Sequence, residues 1–125
     1  MKLTEFGKIV RKARLDANVT LLDMATSLNV TSAFLSSLET GRKKVPSEWG
    51  QKIEAFFKQH KVSVSGLQVA ADISNKSVSL EGLSPTHQML VAGFARASLS
   101  SFDDAQIENL KALLAASNKK NTGSK

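Results

Sequence analysis

Three cations stand in a row at Arg42, Lys43 and Lys44, directly after Gly41, and the short hydroxyl side chains Thr31, Ser32, Ser36 and Ser37 lie just upstream. Guanidinium and ammonium groups neutralise phosphate or carboxylate oxygens, and hydroxyls both donate and accept hydrogen bonds. This is the chemistry of holding an anionic surface, with no bond made or broken. Side chains that could catalyse are scattered. His60 and His87 fall in different expected helices, no phosphate-cradling glycine loop is present, and the absence of cysteine removes disulfides, thiolate metal sites and thiol nucleophiles. Asp103 and Asp104 are adjacent acids, yet two acids at a helix start ordinarily complement its dipole. The chain is expected not to be an enzyme, and to hold neither metal nor cofactor.

At 125 residues the chain has room for one domain, or a small domain with an appendage, and its 42% hydrophobic content is enough for a modest core. The net charge of +6 and a pI near 9.8 favour an anionic partner. The surplus is uneven: residues 1–61 carry eleven Lys/Arg against six Asp/Glu, residues 62–125 six against five. The charged start of the chain does not resemble a signal peptide, and no apolar run approaches the ~20 residues of a membrane helix. A soluble, cytoplasmic protein with no membrane association is expected.

The elements that must position the cations can be read from spacing. Leu3, Phe6, Ile9, Val10, Ala13, Leu15 and Ala17 recur mostly at three or four and predict a first helix, with Lys8, Arg11, Lys12 and Arg14 largely on its other surface. Thr20 is placed to cap a short helix from Leu21 to about Leu28 in a box-like arrangement with Asp23; this helix should bury Leu22, Ala25 and Leu28. Asn29 tolerates the left-handed conformation that ends a helix. Thr31 then caps a third helix, Ser32 to Thr40, with Leu35 and Leu38 inward and Gly41 at its end. Ser47 is expected to cap a fourth, Glu48 to about His60, burying Trp49, Ile53, Phe56 and Phe57.

Residues 62–83 read less simply, because VSVSGLQVAADIS alternates like a strand while LQVAADI also makes two helical turns. A short helix around 66–74 and an extended piece at 77–81, with Ser77 to Leu80 as a short strand, are the expectation. Ser84-Pro85 is a hydroxyl cap followed by proline at the first helical position, opening a helix to about Ser98; another follows from about Asp103 to Ala116.

Two short helices joined by a tight turn form a helix-turn-helix, whose second helix can enter a major groove. The stretch TLLDMATSLNVTSAFLSSLETGRKKVPSEWGQKI, Thr20 to Ile53, resembles the DNA-binding domain of the Xre/Cro family of phage and bacterial repressors. The resemblance rests on Ala25, the turn Asn29-Val30-Thr31, Leu35 and Leu38, and the ending Glu39-Thr40-Gly41 with Pro46 beyond it; with flanking helices it covers residues 3–60. It implies base-edge contacts from Thr31, Ser32, Ala33, Phe34, Ser36 and Ser37. No Arg, Gln or Asn stands on that face, so specificity is expected to lean on thymine methyls, water and DNA shape. Phosphate contacts are expected from Thr20, Arg11, Arg14, Arg42, Lys43 and Lys44, while Glu39 orients a neighbouring basic side chain or backbone.

The expected fold is mainly all-α: a lambda-repressor-like helix-turn-helix domain over residues 1–61, a helical dimerisation region with a short strand over 62–116, and a disordered basic tail over 117–125. Val78, Leu80, Met89, Leu90, Phe94, Ile107, Leu110 and Leu114 are the expected dimer interface. The implied function is a transcriptional regulator, a repressor bound as a homodimer to a palindromic double-stranded operator. The alternative is an antitoxin that binds its own promoter and neutralises a toxin partner through its C-terminal half.

Overall fold

Short side-chain caps set most of the helix starts. The structure, a computed structural model, describes residues 2–123, with side chains described through residue 117. Helix α1 (Glu5–Ala17) begins where the Thr4 hydroxyl accepts from the Gly7 N–H at 3.0 Å, and ends at Asn18, whose φ of +59° turns the chain back. Helix α2 (Leu21–Ser27) carries the expected reciprocal box: Asp23 N–H donates to the Thr20 hydroxyl and Thr20 N–H to the Asp23 carboxylate, each at 3.0 Å. Asn29, at φ +60°, makes the turn into α3 (Ser32–Glu39), where Phe34 N–H donates to the Thr31 hydroxyl at 3.0 Å.

Helix α4 (Trp49–Gln59) starts one residue later than expected and without a side-chain cap. The reason is local: Trp49 N–H bonds back to the Pro46 carbonyl at 3.0 Å, and the Ser47 hydroxyl is turned toward the Glu48 carboxylate at 3.4 Å. Its inner face is as expected, with Trp49, Ile53, Phe56 and Phe57 buried.

The ambiguous segment resolves in favour of a helix, α5 (Leu67–Asn75). Leu67, Ala70 and Ala71, spaced by three and one, form a small stripe that packs against α1 and α4 and joins the core of Phe6, Val10, Met24, Leu35, Leu38, Ile53 and Phe57. The first compact unit therefore runs from Met1 to Ser79, and the boundary expected after residue 61 falls inside it. The strand expected at Ser77 to Leu80 is absent; among the described residues the fold is all-helical. Ser77 N–H instead donates to the Asp72 carbonyl at 3.1 Å, as part of the turn that ends α5.

In α2 the buried pair is Met24 and Ala25, whereas Leu22 is 65% exposed and Leu28 half-buried. A seven-residue helix has too few turns for its spacing to fix the inward direction.

The second unit spans residues 80–125. Helix α6 (Pro85–Arg96) has the expected start, with His87 N–H donating to the Ser84 hydroxyl at 3.1 Å. A 3₁₀ turn (Leu99–Ser101) precedes α7 (Asp104–Gly123), which opens on reciprocal bonds between Asp103 and Gln106. The disordered tail expected from residue 117 is replaced by helical backbone to Gly123, since no proline or glycine interrupts 104–122. Residues 124 and 125 lie outside the described residues. No described side chain from 80 to 117 is buried.

Because Leu67 is fully buried at the junction of α5 with α1 and α4, Leu67→Ala should destabilise the first unit by about 2–5 kcal/mol in denaturant unfolding. A change under about 0.5 kcal/mol, the size of a surface substitution, would show that α5 is not integral to that core.

Candidate nucleic-acid interface

Helix α3 is seated by its C-terminal end. Thr4 donates twice to the Glu39 carbonyl, from its N–H and its hydroxyl, at 3.0 Å each. Gly7 lets the two helices touch: a Cβ built there would lie 2.1 Å from the Glu39 carbonyl oxygen, a contact no larger residue could make. The Glu39 side chain, 5% exposed, takes a two-point ion pair from Arg14, Nη1 to Oε2 and Nη2 to Oε1, the latter at 3.2 Å. Arg14 Nη1 also lies 3.9 Å from the Met24 sulfur, so α1, α2 and α3 meet at this guanidinium.

This geometry corrects one expected contact. Arg14 is only 9% exposed and both terminal nitrogens are committed to Glu39, so it is withdrawn from any phosphate. Arg11, one turn earlier, is exposed on α1. Glu39 orients a basic side chain as expected, and that side chain is Arg14.

With Leu35 and Leu38 inward, α3 leaves Thr31 and Ala33 exposed and Ser32, Phe34, Ser36 and Ser37 half-buried. Their hydroxyls are not equivalent. Thr31 accepts from Phe34 N–H and keeps its hydrogen for donation, whereas Ser37 donates to the Phe34 carbonyl at 2.6 Å and offers outward only lone pairs. An acceptor-only hydroxyl suits the amino groups of adenine or cytosine. Ser32 and Ser36 have no side-chain hydrogen bond among the described residues, so each can do both.

Phe34 is divided between two roles. One side of its ring meets Trp49 at 5.2 Å between centroids, fixing α3 to the start of α4, and Lys43 Nζ lies 5.7 Å from the ring centre. Trp49 in turn has Lys52 Nζ over it at 4.9 Å. Lys52 was not among the residues expected from sequence, although its spacing of three from Trp49 on α4 was the available signal. The aromatic pair thus carries a cation at each end, within the range of a cation–π attraction.

Arg42, Lys43 and Lys44 are all exposed, and none is in an ion pair among the described residues. Their turn leaves α3 through Gly41 at φ +79°, and Lys43 N–H returns to the Ser37 carbonyl at 3.1 Å. By contrast, Lys8 and Lys12 pair on the surface with Glu5 and Asp16. Thr20, exposed at the start of α2, accepts from the Asp23 N–H.

Of the expected interface residues, Val78 belongs to the first unit and the others to the second. Val78, Met89, Leu90, Phe94 and Leu114 are exposed, and Leu80, Ile107 and Leu110 half-buried. Among the described residues there is no group of acids or histidines that could hold a metal, and no helix long and apolar enough to cross a membrane. No protein-family model, curated protein or solved structure matches the chain.

Two outcomes are expected. Arg14→Met or Glu39→Leu alone should cost about 3–5 kcal/mol in denaturant unfolding by leaving one buried charge unpaired, and the double substitution should recover most of it; additive losses would refute a paired site. The Thr20 N–H, then the Thr20 hydroxyl, hold the Asp23 carboxyl below its ordinary 3.8. Because the folded value is the depressed one, the cap is intact above 3.8 and lost only as pH falls through that lower folded value. The Thr20 amide resonance should therefore titrate with a midpoint under 3.8; a midpoint at or above that would show the box to be open.

Proposed function

We propose that this chain is a sequence-specific double-stranded DNA-binding transcriptional regulator of the Xre/Cro type, acting as a homodimeric repressor. The observation that carries the reading is the pairing of α3, presenting short polar side chains, with an unneutralised cationic turn anchored at its exit. Phosphates are met without regard to sequence, so they need cations held in place; base edges need short groups carried close by a helix. Both requirements find candidates on adjacent backbone.

In this reading Thr31, Ser32, Ala33, Ser36 and Ser37 face base edges. Phe34 offers only the part of its ring not covered by Trp49. Arg42, Lys43 and Lys44 clamp phosphates, with Arg11, Thr20 and Lys52 as further contacts. The small reading residues favour thymine methyls, amino groups and local DNA shape over bidentate recognition of guanine.

A single module reads one half-site, and a two-fold pair reads two, one helical turn apart. The second unit favours pairing in this reading, because Met89, Leu90, Phe94 and Leu114 are exposed in a region where no described side chain is buried. The same exposed side chains favour one alternative, an antitoxin whose C-terminal unit is covered by a toxin. Regulation in a phage or mobile element, in the cytoplasm, fits either version.

Selection of bound duplexes from random DNA should return a palindrome with half-sites about ten base pairs apart. Recovery of no motif would overturn the reading; a motif bound only after co-expression with a partner protein would favour the antitoxin. Arg42→Ala with Lys43→Ala should weaken binding to all sequences and reduce the slope of log affinity against log salt by about 0.9 for each phosphate no longer neutralised. Ser37→Ala should alter base preference and leave that slope unchanged. An unchanged slope in the double variant would remove the turn from the phosphate clamp.

A further inference from the structure

We propose that Asn75, the last residue of α5, is a positioning residue for the cationic turn, holding Arg42, Lys43 and Lys44 in the arrangement that meets phosphates. The inference rests on the DNA-binding reading and extends the binding machinery to a helix beyond the helix-turn-helix. Its basis is a two-point bond across thirty residues: Val45 N–H donates to Asn75 Oδ1 at 2.8 Å, and Asn75 Nδ2 donates to the Val45 carbonyl at 3.0 Å. One side-chain amide thus satisfies both main-chain groups of one residue. The pairing also fixes which end of the amide is oxygen, since Val45 offers one donor and one acceptor.

Val45 is the point at which the turn re-enters the fold. Its side chain is 5% exposed and belongs to the core, while Lys44, directly before it, is exposed. At the other end the turn is tied by Lys43 N–H to the Ser37 carbonyl at 3.1 Å. The turn therefore has two anchors, one on α3 that holds Lys43, its middle cation, and a second supplied by α5 at Val45, directly after Lys44. Without the second, three adjacent like charges would repel one another and the turn would spread over many conformations. Ordering it on binding would then lower DNA affinity. A two-point bond also fixes the rotation of the Val45 peptide, which a single bond leaves free.

Only an amide at this place has both a donor and an acceptor in one plane. A carboxylate of the same shape keeps the bond to Val45 N–H but sets an oxygen against the Val45 carbonyl, so Asn75→Asp tests the pairing with little change of volume. Asn75→Ala removes both bonds.

The experiment is a double-mutant cycle on the full chain at pH 7, with thermal melts to confirm that each variant is folded. Binding to the selected operator is measured across a salt series. Asn75→Asp and Asn75→Ala should weaken binding by about tenfold and lower the salt slope. In the Arg42→Ala/Lys43→Ala/Lys44→Ala background, Asn75→Ala should change affinity less than about twofold, because nothing remains to position. Equal weakening in both backgrounds would overturn the proposal and show Asn75 to act only on stability. In the free protein, ¹⁵N relaxation should show lower order parameters at 42–44 and faster hydrogen exchange at Val45 in both Asn75 variants; unchanged values would also overturn it. Failure of the DNA reading has a different signature, since the wild-type chain would then bind no duplex while the relaxation changes at 42–44 persisted.

Discussion

Glu39 is held from two sides. Its carbonyl receives two hydrogen bonds from Thr4, and its carboxylate a two-point ion pair from Arg14, so the end of α3 is bound to both the start and the last turn of α1. An ion pair this deeply buried contributes little net stability, because desolvating two charges offsets most of their attraction. What it contributes is direction. A guanidinium and a carboxylate pair well in few orientations, and α3 cannot rotate about its own axis without breaking that pair. The contact at Gly7 then sets how closely the two backbones approach. The identity of the residues facing outward on α3 follows from these constraints.

In the proposed DNA-reading role, short side chains on α3 place a severe demand on that seating. An arginine can reach a base from a helix that sits loosely, whereas a serine must be carried to it. The clustering of anchors around α3 is consistent with such a demand: Phe34 on Trp49, Lys43 on the Ser37 carbonyl, and Val45 in the core with both main-chain groups bonded by Asn75. Cations meanwhile ring the aromatic pair from the turn and from α4. The outward side chains of α3 and the cationic turn are thus tied to the same packed core, so in the proposed DNA-binding role the fold itself would supply ordering that binding would otherwise have to provide.

The second unit is built differently. Its helices are well capped, by Ser84 and Pro85 for α6 and by the Asp103–Gln106 pair for α7, yet no described side chain of the unit is buried. Capping specifies where a helix starts and stops; it supplies none of the apolar burial that stabilises a packed unit. Local consistency without a core among the described side chains sets this region apart from residues 1–79.

Much of the first unit was legible in the amino-acid order, because caps and left-handed turns are chemistry between near neighbours. Thr20 with Asp23, Thr31 with Phe34, and the turns at Asn29 and Gly41 could be read directly, as could the inward direction of Leu35, Leu38 and the aromatic face of α4. Where the choice depended on distant partners, local pattern had no purchase. Whether Leu22 or Met24 pointed inward, whether residues 67–75 were strand or helix, and where the first unit ended were decided by surfaces on α1 and α4 that complete the core. Arg14 shows the limit most sharply: its charge was evident from the sequence, but whether that charge faced solvent or Glu39, twenty-five residues away, was decided only when α1 and α3 packed together. Sequence spacing settles local hydrogen bonding; tertiary packing alone decides which charges are left for a partner.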